Sequence, residues 1–210
     1  MAKPNPNGVL INGDRQPKAC DPHSWLALIG DPPCTVGTRI MFGNLRPSYR
    51  GWQNSAAEFA AAKLGVGLPP DANPWSVGAA RAEVLLPHDV DDRLADPRTL
   101  MLEIDAAAPG PRPALLTYIT ITYEPRRLHE QYELVRAYAM AHLVQDLGNA
   151  VLAVQHAPER AGYDTPPHVH LLVRKANSRG IAPPVAALSC DKGRKLVVEA
   201  FNQFRANYEK

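Results

Sequence analysis

Apolar and polar residues alternate most clearly between Leu116 and Tyr123, where Ile119 and Ile121 fall on one side of an extended chain and Tyr118, Thr120 and Thr122 on the other. That segment predicts a strand with one packed face and one wet face. Two shorter runs, Ala150 to His156 and His168 to Val173, predict strands joined by the polar, turn-rich loop 157–167, and antiparallel pairing across that loop makes them neighbours. Thr38 to Asn44 and Arg81 to Leu86 complete the strands. Helical periodicity predicts Ala56 to Lys63, capped by Asn54 or Ser55 and stopped by Gly65. A second helix begins at Asp96-Pro97, and the longest runs from Arg127 to Leu147 with Leu134, Tyr138 and Ala141 on one stripe. The last helix spans about Lys195 to Tyr208.

The resulting order, β-α-β-α-β-α-β-β-α, predicts an α+β fold: a mostly antiparallel sheet with helices packed on one face and the opposite face open. Residues 1–36 are rich in Pro, Gly, Asn and Asp and read as an irregular extension without chemistry, leaving 37–210 as a single domain. A length of 210 residues suffices for one full core.

Composition narrows the setting. No apolar run is long enough for a membrane-spanning helix, and the start of the chain lacks a secretory core, so a cytoplasmic protein with no membrane partner is expected. Cys20, Cys34 and Cys190 form no C-x-x-C pair, and Cys20, His23 and Cys34 lack the fourth ligand of a zinc site. The net charge of +2 decides little, but the basic residues cluster. Arg39, Arg46 and Arg50 lie early; Arg174, Lys175, Arg179, Lys192, Arg194 and Lys195 form a late tract able to neutralise phosphates.

The chemistry concentrates on three histidines. Period-two geometry puts His168 and His170 side by side on the face opposite Val169, Leu171 and Val173. If the preceding strand pairs across the 157–167 loop, His156 lies opposite them, and three imidazole nitrogens face one point. Such a set leaves coordination positions for substrate oxygen or water. His23, His88, His129 and His142 have no comparable partners and are expected at the surface.

In order and spacing, Ala82-Glu-Val-Leu-Leu-Pro87, Tyr118 to Thr122, Tyr132 to Leu143, Val151 to His156 and Pro166-Pro-His-Val-His-Leu-Leu-Val173 resemble the MobA/MobL relaxases of the HUH endonuclease group. The resemblance implies strand-specific nicking and rejoining of single-stranded DNA at a plasmid or mobile-element transfer origin, through a tyrosine that stays linked to the 5′ phosphate. It places the family's metal ligands on His156, His168 and His170. The donor set predicts a divalent metal, Mg²⁺ or Mn²⁺ as the working ion, with Zn²⁺ or Ni²⁺ held more tightly by three imidazoles, and the resemblance implies relaxosome accessory proteins as partners. Oligomeric state, and any helicase or primase beyond residue 210, stay open.

The family's nucleophile departs from the pattern here. Its alanine-rich helix matches Ser55 to Gly65, where Ala62 stands in the tyrosine's place. Tyr49, followed by Arg50, is the substitute chosen; Tyr208, on the last helix, is the other. Arg46, Arg50, Tyr118, Thr120, Thr122, Arg174, Lys175, Lys192 and Arg194 are the expected DNA contacts. Two further readings remain open: a single-strand DNA-binding protein that has lost its nucleophile, and a small phosphodiester metallohydrolase working through metal-bound water.

Overall fold

The structure is a computed structural model, and it describes residues 8–13, 15–32, 35, 37–107, 114–122, 127–183, 185–190 and 192–208. Its strands are β1 (Val9–Leu10), β2 (Leu28–Gly30), β3 (Arg39–Leu45), β4 (Ser48–Tyr49), β5 (Trp52–Gln53), β6 (Arg81–Leu85), β7 (Leu116–Thr122), β8 (Asn149–His156), β9 (His168–Asn177) and β10 (Gly180–Ile181). The helices are α1 (Ala56–Leu64), α2 (Pro97–Ala106), α3 (Leu128–Tyr138) and α4 (Gly193–Tyr208). α3 continues as a wider π-type segment, Ala139–Asp146.

One antiparallel sheet runs in the order β1-β2-β3-β7-β9-β8-β6, with β10 added to β9. The protein is thus α+β with a large antiparallel sheet. Ile40, Phe42, Ile119, Ile121, Val169, Leu171 and Val173 alternate onto one face, where α3, its π-type extension and α4 cover them. This is the helix layer that the strand periodicity predicts.

The other face carries the histidines but is not bare. α1 and α2 pack over Leu116, Tyr118, Leu152 and Leu172, forming a second buried cluster with Phe59, Leu64, Leu100 and Ile104. Helices therefore flank the sheet on both sides. The cause is legible in β8, whose run Ala-Val-Leu-Ala-Val is apolar on both faces and cannot leave either in water.

The segment expected to be irregular contributes β1 and β2, which extend the sheet beyond β3. Between them Asn12 ties the turn: its Nδ2 donates to the carbonyls of His23 and Leu26, and its Oδ1 accepts from the Leu28 N–H. Gly43 permits the close passage of this segment, since a Cβ there would lie 2.5 Å from the Ala27 carbonyl oxygen. None of the described helices is long and apolar enough to cross a membrane.

α1 is aimed from its N-terminus. Ser55 caps it, and the Asp105 carboxylate at the end of α2 accepts from Ser55 Oγ at 2.6 Å and from the Ala56 and Ala57 N–H groups at 2.6 and 3.0 Å. Anchored there, the helix delivers its last turn to the histidine end of the sheet.

Candidate metal centre

β8 and β9 pair so that His156 stands opposite His168, while β7 places Thr122 beside His168 and Thr120 beside His170. All three histidines share the α1 side of the sheet, and their ligand nitrogens lie within 4.8 Å of one another. His156 and His170 are buried, and His168 is half-buried at the mouth.

Hydrogen bonds fix how the rings present themselves. His156 Nε2 lies 2.7 Å from the Lys63 carbonyl oxygen, which can only accept, so that nitrogen carries the proton and Nδ1 keeps its lone pair. In the same way the Pro166 carbonyl, 2.9 Å from His168 Nδ1, leaves Nε2 of His168 as the bare nitrogen. His170 Nδ1 meets two hydroxyls, Tyr118 at 2.8 Å and Thr120 at 2.9 Å, and its Nε2 turns to His156 Nδ1 at 3.1 Å. Two nitrogens on one ion, with bonds of about 2.1 Å, stand roughly 3 Å apart. The residues therefore fit a divalent cation held by His156 Nδ1, His168 Nε2 and His170 Nε2, each ring braced from behind by an oxygen.

Burial keeps these imidazoles neutral. It pushes His156 down to about 4, and it lowers His168 and, further, His170, with neighbouring histidines and Lys63 adding to the effect. A neutral imidazole is the form that binds metal, so protons do not compete at neutral pH.

Two residues outside the expected set complete the surroundings. His23, expected at the surface, is partly buried and places Nε2 2.8 Å from the Tyr118 hydroxyl, which thereby bridges His23 and His170. Its segment had no periodicity to reveal this, and only sheet pairing brings it in. Lys63 is 4% exposed, with its ammonium over the rings of Phe59 and Tyr118, 5.2 Å from each centroid. Desolvation lowers it to about 7. Arg39, paired with Thr122, adds a further cation on the same face that acts on His168. The sequence signal for Lys63 was the alanine-rich helix itself, whose last turn abuts His156. His88 and His129 are exposed, and His142 pairs with Asp146 at 3.1 Å, all away from the centre. Cys34 lies outside the described residues.

The expected DNA contacts divide. Tyr118 and Thr120 are 0% and 1% exposed and brace His170, and Thr122 is also buried, so none of them presents a wet surface. Arg174 is buried toward the far end of β9, and Arg194 is 1% exposed in an ion pair with Asp31 at 3.1 Å. Neither is a surface cation: Arg174 shares the sheet face that α1 and α2 cover, and Arg194, on α4, is buried against Asp31. Lys175 is half-buried, while Arg46, Arg50 and Lys192 are exposed. Arg50 also donates to the carbonyls of Arg15 and Gly13.

Tyr49 does not join the histidines. It belongs to the hairpin β4–β5 beyond Leu45, and Leu45 pairs with Leu116, six residues along β7 from Thr122 beside His168. At 3.3 Å per residue that is about 20 Å of strand. Its ring instead lies under the Arg50 guanidinium. Ala62 is exposed on the last turn of α1, beside the Lys63 that supports His156. Tyr208, at the end of α4, stacks on Phe204.

No protein-family model matches this sequence, and no curated protein matches it. Among solved structures the fold is similar to one described as "Molecular Basis of Vancomycin Resistance Transfer in Staphylococcus aureus", at 18% identity and a TM-score of 0.51, covering 74% of this chain and 87% of that chain. At that identity the likeness shows the fold.

Proposed function

We propose that this chain nicks and rejoins single-stranded DNA as a metal-dependent relaxase, acting at the transfer origin of a plasmid or other mobile element. The observation that carries the reading is the arrangement of the three rings, each with one nitrogen held by an oxygen and the other turned toward a common point. The fold similarity to a protein connected with resistance transfer supports the same reading.

A divalent ion there would polarise a non-bridging phosphate oxygen and so lower the cost of bringing a nucleophile to an anionic diester. Mg²⁺ or Mn²⁺ suits phosphate oxygen, and three imidazoles without a carboxylate also favour Zn²⁺ or Ni²⁺. The protein supplies position and charge. His156, His168 and His170 orient the scissile phosphate, while Lys63 and Arg39 add positive potential on the same face. Arg46 and Lys192, both exposed, would meet phosphates farther along a strand. Relaxosome proteins would deliver the unpaired strand.

The vacated Ala62 position favours a second reading, a single-strand DNA-binding relative without cleavage. Both are decided by a labelled oligonucleotide pool incubated with Mn²⁺. Cleavage by the native chain that His168→Ala and His170→Ala abolish supports the nuclease; shifts without cleavage support binding alone, and cleavage retained by both variants removes the metal role.

A further inference from the structure

The chain holds seven tyrosines, and the proposed chemistry needs one hydroxyl that is accessible and close to the histidines. Tyr118, Tyr132 and Tyr138 are buried, and burial raises their phenols out of reach of easy ionisation. Tyr123 lies outside the described residues. Tyr49 and Tyr208 lie in the settings given above. Tyr163 differs from all of these: it is 65% exposed and lines a cleft of about 350 Å³ that His156 also lines.

That cleft lies between the loop following α1 and the loop joining β8 to β9. Val66 and Leu68 form one apolar wall, continuing directly from the helix turn where Ala62 stands, and Ala79 precedes β6. Tyr163 and Arg160 come from the other wall. Gly162, in the left-handed region at φ 79°, turns the chain, and the Tyr163 N–H donates to the Pro158 carbonyl at 3.1 Å. The loop is tethered at both ends by metal-binding positions. Tyr163 stands five positions before His168, a reach of no more than about 18 Å fully extended.

Resting on the relaxase reading, we propose that Tyr163 is the nucleophile, entering the site from the wall opposite the alanine-rich helix. The phenol gives its proton to solvent, to which the exposed ring is open. Its oxygen then forms a bond to phosphorus while the bond from phosphorus to O3′ breaks, and O3′ takes up a proton to leave as a hydroxyl. The downstream segment stays on Tyr163 through its 5′ phosphate. No water or nucleotide is consumed, so the reverse attack by the 3′-hydroxyl reseals the strand. The apolar wall accepts a base or sugar beside the scissile phosphate, and Arg160 supplies a cation to a flanking one.

The test uses a pool of random single-stranded oligonucleotides labelled at the 3′ end, incubated with the full chain and Mn²⁺, denatured, and mapped by mass spectrometry. The expected adduct lies on the tryptic peptide 161–174, whose one tyrosine is Tyr163. Tyr163→Phe should lower adduct yield by at least about a hundredfold, and Tyr49→Phe should leave it unchanged. An adduct on Tyr49, Tyr123 or Tyr208, or one undiminished in Tyr163→Phe, overturns this assignment while nicking stands. Absence of any adduct from the native chain overturns both.

Discussion

The Tyr118 hydroxyl lies 2.8 Å from Nδ1 of His170, buried at the centre of the sheet, and Thr120 Oγ1 reaches the same nitrogen at 2.9 Å. Hydroxyls, rather than a carboxylate, therefore set the orientation of the middle ring of the three. Because such supporting groups are worth roughly 10–100-fold in metal affinity, Tyr118→Phe alone should weaken Zn²⁺ or Mn²⁺ binding about tenfold, with Thr120 still in place. Adding Thr120→Val should bring the loss to about a hundredfold. Calorimetric titration of the purified variants measures both, and native affinity in the double variant would remove the bracing role.

Acid should unfold the metal-free protein through the same histidines. Burial holds His156 near 4, whereas an unfolded histidine titrates near 6.5. Between those values the unfolded chain binds the proton and the folded chain does not, so stability falls as pH drops from about 6.5 to about 4. His156 alone contributes on the order of 3 kcal/mol to that loss. Urea unfolding at neutral and acid pH, in chelator, checks the sign, and His156→Gln should flatten the dependence. Saturating metal should raise stability at neutral pH and lose that advantage as the ligands protonate.

Arg194 should prove structural. Its guanidinium meets Asp31 at 3.1 Å with both side chains 1% exposed, and Asp31 also accepts the Ile40 N–H at 3.0 Å. Arg194→Ala leaves a buried carboxylate without this cation and should cost about 3–5 kcal/mol. DNA affinity per folded molecule should be unchanged, as equilibrium unfolding paired with gel shifts would reveal. A loss of affinity without a loss of stability would return Arg194 to the DNA surface.

Alternation in β7 and β9 was enough to assign faces. Ile119, Ile121, Val169 and Leu171 reach the helix layer, and His168 and His170 the opposite side, because a strand's two-residue period leaves its side chains no other choice. The hairpin pairing of His156 with His168 followed from one short polar loop between two apolar runs. The helix starts at Ser55 and Asp96 were equally local, since each capping side chain bonds an N–H three residues on.

Neighbours along the chain were thus enough to set the strand period, the caps, and the convergence of three imidazoles across one hairpin. Tertiary structure decided the rest. It brought His23 and Lys63 to the histidines from distant segments, covered Tyr118 and Thr120, paired Arg194 with Asp31, and left Tyr49 in a hairpin past the other end of β3. The reason is physical: whether a polar side chain ends in water, in a core or beside a ligand depends on which remote surface needs burial, and no local period encodes that choice.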